Sequence, residues 1–156
     1  MRNLFDLTVL RAMECSPVKP GIDAFHRERS RFTDAFARCE IAVVSMLSSN
    51  GAKICADPLG QKIARALALE PSQTLDKARK AQLDPILREL LDLIAIRADV
   101  IHAPLRVIEL EGINVACFIN TRNHGEKWPA ARLVTFDNFR ALTRRVAELA
   151  IALSAP

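Results

Sequence analysis

The chain has 156 residues, 50% of them hydrophobic and 26% charged, the make-up of one ordinary globular domain with a real core to bury. Five Gly and no Tyr argue against a β-sandwich, and no run reaches the ~18 consecutive apolar residues of a membrane helix. The net charge of +4 permits a polyanionic partner without requiring one.

Residues 1–21 open with Met1 to Leu10, an arm or short helix suited to packing on a partner subunit, and close on the breaker run Ser16-Pro17-Val18-Lys19-Pro20-Gly21. Asp6 stands where a signal peptide would carry its apolar run, so the reading is a cytoplasmic protein. Cys15, Cys39, Cys55 and Cys117 form no C-x-x-C pair and show no Cys/His ligand spacing. They read as reduced, mostly buried thiols, and neither a metal nor a cofactor is expected.

Residues 22–156 read as a single helical domain. From Ile22 to about Ser49, Phe25, Phe32, Phe36, Val43 and Leu47 recur at spacings of four and seven, which predicts a long helix stopped by Asn50-Gly51. Two charges fall on or beside this stripe, Arg29 four after Phe25 and Glu40 four after Phe36. An unpaired charge in a core costs several kcal/mol, so either Glu40 takes a partner, Arg97 being the first candidate, or it lies at a wet edge. Asp57-Pro58 opens a short helix from Leu59 to Leu69, ended by Glu70-Pro71-Ser72. Residues 73–83 are rich in helix formers and charge, forming either a solvated helix or the first, kinked part of the next one. Their Lys77, Arg79 and Lys80 are either a phosphate-contacting patch or a solvated helix face.

Asp84 and Pro85 carry a helix start signal, and Pro104 a stop, so 84–104 is expected to form the central helix. Ile86, Leu87, Leu90, Leu91, Leu93, Ile94, Val100 and Ile101 give it a broad apolar face, with Arg97 and His102 toward its end. After Pro104 the period changes to that of strands. Leu105–Leu110 and Ile113–Asn120, joined through Glu111-Gly112, predict a β-hairpin with Ile113, Val115, Cys117 and Ile119 on one face. The polar stretch 121–129 holds the only Trp; Arg122 and His124 there either contact nucleic acid or belong to a loop anchored by Trp128. Thr135 then caps a last helix to about Leu153, with Phe136, Phe139, Leu142, Val146, Leu149 and Leu153 inward. The whole predicts a mainly α fold, an up-down bundle of four to five helices with a small β-hairpin before the last.

The segment Ile96-Arg97-Ala98-Asp99-Val100-Ile101-His102 resembles the Arg-x4-6-His motif of the HEPN superfamily, placed at the end of a helix as in that family. The order long helix, short helix, Arg-x4-His helix, hairpin and capped helix resembles small HEPN proteins across most of 22–154. Ala98 stands where the family usually carries a polar residue, and Asp99 follows. The resemblance implies a helical bundle, a homodimer, and metal-independent endoribonuclease activity with Arg97 and His102 as catalytic residues. Such a protein would be a toxin or defence component, with RNA as substrate and a cognate antitoxin or partner protein.

The residue types fit that chemistry. RNA cleavage without metal needs a base for the ribose 2′-OH, a proton donor for the leaving 5′-oxygen and positive charge on the phosphate. His102 can move protons near neutral pH, Arg97 suits phosphate oxygens, and Glu40 or Asp99 can orient either. On an ideal helix positions 97 and 102 differ by ~140° and ~7.5 Å, so convergence calls for a two-fold partner. The alternative is a non-catalytic bundle in which Arg97 bonds Glu40, His102 caps the helix, and the protein binds a partner protein or nucleotide. A serine or cysteine triad and a phosphate-cradling glycine loop have no support.

Overall fold

A computed structural model of the chain describes residues 19–119 and 131–155. Five helices and a three-stranded antiparallel sheet follow one another as α1 (Ile22–Ser49), α2 (Leu59–Leu67), α3 (Lys77–Asp92), α4 (Ile94–His102), β1 (Leu105–Leu110), β2 (Ile113–Ile119), β3 (Ala131–Thr135) and α5 (Phe136–Ser154). The fold is therefore mainly α, with the sheet before the last helix. The Arg122 and His124 positions, the 1–18 arm and Cys15 lie outside the described residues.

α1 is ~42 Å long and is the axis of the molecule. Its aromatic stripe faces α5, which runs parallel to it: Phe25 meets Phe136 with ring centroids 5.2 Å apart, Phe32 meets Phe139 at 5.6 Å, and the Cys39 thiol donates to the Val146 carbonyl at 3.5 Å. Phe118 from β2 closes edge-on against Phe139 at 5.9 Å, tying the sheet to the same core. Burial pushes the Cys39 thiol up to about 11, so it behaves as a small core residue. α1 stops where expected: the Asn50 side-chain amide donates to the Met46 carbonyl at 2.9 Å, Gly51 takes φ +71°, and the Ala52 amide reaches back to Leu47.

The central helix departs from its expected bounds. Asp76 caps α3 by accepting from the Arg79 amide at 2.6 Å, so 77–83 are the first part of this helix and Asp84-Pro85 lies inside it. Asp84 instead takes Lys80 across one turn at 2.9 Å. Burial of Leu83, Leu87 and Leu90 holds the helix through Pro85 despite the lost backbone donor. The helical run is then interrupted at Leu93, and α4 begins afresh.

The hairpin is also larger than expected, because β3 pairs with β2 to make the order β1-β2-β3. The core side of β2 is Ala116 and Phe118, while Val115 and Cys117 of the expected stripe point the other way and are buried as well. A central strand buried on both faces does not show the simple alternation of a half-wet one. Among the described residues, no helix is long and apolar enough to cross a membrane, and no group of three or more His, Cys, Asp or Glu is placed to hold a metal ion.

Candidate functional site

α1 and α4 lie antiparallel in space, with Arg29 beside the end of α4 and Phe36 beside Arg97. Arg97 lays its guanidinium over the Phe36 ring, 5.9 Å from the centroid, and its Nε is buried without a hydrogen-bond partner. The cation thus sits partly in an apolar wall and, among the described residues, forms no ion pair, so an anionic ligand would gain much from it. His102 is the last residue of α4 and is exposed. Five positions apart on one short helix, the two side chains diverge, and Arg97 turns inward while His102 turns to solvent.

The supporting residues find other partners. Glu40 accepts from Lys62 of α2 at 2.6 Å, so the expected pairing with Arg97 is not formed. α2 lies along α1 and brings an ammonium within reach of Glu40. Asp99 takes Arg132 of β3 at 2.7 Å, a bond that fixes α4 to the sheet. The end of α4 is capped by Arg29, whose Nη2 donates to the carbonyls of Ile101 at 2.9 Å and Ala103 at 3.2 Å. His102 does not have that role.

No protein-family model, curated protein or solved structure matches this chain.

The basic cluster at the start of α3 lies elsewhere. Arg79 donates to the carbonyls of Ala152 at 3.3 Å and Ala155 at 2.6 Å, and Lys80 to the carbonyl of Leu67 at 2.9 Å, while Lys77 is exposed. Arg79 shares a cavity wall with Ser49 and Asn50 at the far end of α1, so the cluster is ~30 Å along that helix from Arg29 and His102. It does not converge with Arg97.

Sequence reasoning missed Arg29 as the cap of α4, Arg132 as the partner of Asp99, and Phe36 as the surface under Arg97. It also passed over Glu28, only 3% exposed and 3.4 Å from Arg31. The signal for Glu28 was present: three after Phe25 and four before Phe32, it falls on the inward stripe.

Proposed function

We propose that the protein is a metal-independent endoribonuclease of the HEPN kind, acting in the cytoplasm as a homodimer, with Arg97 and His102 as the reacting pair. The observation that carries the reading is that, among the described residues, neither side chain is held in an ion pair while the structural roles open to them are filled by others. Lys62 holds Glu40, Arg29 caps α4, and the motif's cation and imidazole remain available. Ala98 leaves no polar side chain next to Arg97; Asp99, through Arg132, serves to fix the helix that carries the motif.

In the reaction, one imidazole removes the proton from the ribose 2′-OH, the 2′-oxygen attacks phosphorus, and the bond from phosphorus to the 5′-oxygen breaks. A second proton goes to that 5′-oxygen, leaving a 2′,3′-cyclic phosphate and a 5′-hydroxyl. Arg97 neutralises the phosphate oxygens as charge builds on them. A two-fold axis near the ends of the α4 helices would supply the second imidazole as acid or base and gather both guanidinium groups into one cleft. A toxin or defence role with a cognate antitoxin belongs to the same reading.

The test is incubation of the purified chain with total RNA in the presence of a chelator, beside the His102→Ala and Arg97→Ala variants. Wild type should yield fragments with 2′,3′-cyclic phosphate ends, and each variant should slow cleavage at least ~100-fold, with the melting temperature of the exposed His102 variant unchanged. Equal cleavage by wild type and both variants overturns the assignment. A second reading, a non-catalytic bundle that binds a nucleotide or partner protein through the same residues, draws on Ala98 and on the burial of the Arg97 Nε. It expects RNA or nucleotide retained uncut, with binding lost in Arg97→Ala.

A further inference from the structure

Packed in parallel, α1 and α5 leave a groove along their outer side. A cavity of about 460 Å³ opens there, lined by Arg38, Ile41, Ala147, Ala150, Ile151 and Ser154. Ile41 and Ile151, one from each helix, are 66% and 72% exposed. Single exposed apolar residues are commonplace, but these two flank the same cavity over a floor of alanines that lets another backbone come close.

Toward the N-terminal ends of the two helices the walls turn cationic. Arg38 lines the cavity, Arg31 stands seven residues before it on α1, and Arg144 and Arg140 stand seven and eleven before Ile151 on α5, spacings that keep each on its helix's groove side; all four are exposed. Arg31 has one 3.4 Å contact with Glu28 and Arg140 lies over the Phe136 ring, 6.0 Å from its centroid, but among the described residues no ion pair is formed by Arg38, Arg140 or Arg144. Asp34 is the one carboxylate interleaved on the α1 wall; on α5, exposed Asp137 stands three before Arg140, and Glu148 is held by Arg145. The groove therefore joins a row of guanidinium groups, of which Arg38, Arg140 and Arg144 form no ion pair among the described residues, to an apolar end, over ~15 Å from Arg31 to Ile41, about three turns of a helix.

We propose that this groove docks an acidic amphipathic helix of another protein, its carboxylates against Arg38, Arg140 and Arg144 and its apolar side chains over Ile41 and Ile151. Charge complementarity selects this occupant. A second copy would set the same arginines against themselves, and a nucleic acid backbone would satisfy the arginines but leave both isoleucines uncovered. The proposal is independent of the nuclease reading. Arg38 lies ~160° around α1 from Phe36, so an occupant of the groove leaves Arg97 and His102 open.

The full chain, carrying His102→Ala so that no RNA is cut, is used to sort a displayed library of random peptides of about 18 residues, long enough for a five-turn helix. The enriched peptides are then measured by fluorescence anisotropy against the same chain and against its Ile151→Asp and Arg38→Glu forms. The expected result is net acidic sequences with apolar residues at helical spacing, bound more weakly as salt rises and at least ~10-fold more weakly by either substituted form. Both positions are exposed, and a thermal melt verifies the fold; should Ile151→Asp melt early, Ile41→Asp on the facing helix repeats the measurement. The proposal is overturned by no enrichment, by peptides without net negative charge, or by affinities that neither substitution moves. It is equally overturned by a dimer in sedimentation that Ile151→Asp dissolves, or by a labelled oligouridylate whose binding needs Arg38 and competes with the peptides.

Discussion

Arg29 illustrates what a single side chain can settle. From the sequence it is a charge beside an apolar stripe, in need of a partner; in the fold it closes the last turn of α4 through two carbonyls 72 and 74 residues away. Those carbonyls belong to the set that a helix end leaves unpaired, and a cation at a helix C-terminus also meets the negative end of the dipole. Arg29→Ala should therefore lower stability by ~1.5–3 kcal/mol in urea unfolding, the range for a hydrogen bond to a charged group, with faster amide exchange confined to the end of α4. Arg29→Lys should recover part of the loss, since one ammonium can reach one carbonyl but not fork across two. That Arg29 and Glu40 fall on or beside the apolar stripe was legible from spacing, which left open whether each is paired or wet. Which partner was not legible, because Ile101 and Lys62 become neighbours only when α4 and α2 are laid along α1. Arg97 and His102 were singled out by their resemblance to the Arg-x4-6-His motif, whereas the ring of Phe36 beneath Arg97 required the packed helices.

At the scale of elements, caps and turns were read most reliably and long-range pairings least. Thr135 caps α5 as expected, accepting from the Asn138 amide at 3.3 Å. The start signal at Asp84-Pro85 was overridden because Asp76 caps eight residues earlier and Leu83 belongs to the core, so the helix gains more by running through the proline than by beginning at it. β3 gave no signal comparable to β1 and β2: five residues, Ala131 to Thr135, take strand form by pairing with β2 across an intervening segment. The β1–β2 turn carries a cost that can be measured. Glu111 and Gly112 have φ of +48° and +81°, the pairing of positive values typical of a two-residue hairpin turn, and only the second is a glycine. A side chain in the left-handed region costs about 1–2 kcal/mol, less for asparagine, whose polar group bonds locally. Glu111→Asn should accordingly raise the melting temperature, by ~0.5–1 kcal/mol in stability, while Gly112→Ala should lower it.

For the molecule as a whole, a forked ion pair on the surface joins α3 to α5, beside the bonds from Arg79 to the end of α5. Arg145 meets both Glu89 oxygens at 2.6 Å, and this bond holds the Glu89 carboxyl below the usual carboxylate range. A carboxyl lowered in the folded state stabilises above its unfolded value, and that gain is lost as the pH falls through the lower, folded one. Wild type and Glu89→Gln should thus melt apart near neutrality and converge in acid, the gap narrowing with added salt because the pair is exposed. A gap that persists at low pH would mean that the glutamine disturbs packing and not charge.

The largest interface of the protein imposes an order on its making. α1 and α5 meet along their lengths, and the bond from the Cys39 thiol to the Val146 carbonyl joins residues 107 apart. No local hairpin of helices can stand in for that contact, so Phe25 and Phe32 stay without their cover until α5 has been synthesised and has come round to lie beside them. Assembly on a growing polypeptide then waits for α5, and a core of such distant strangers closes slowly for its size.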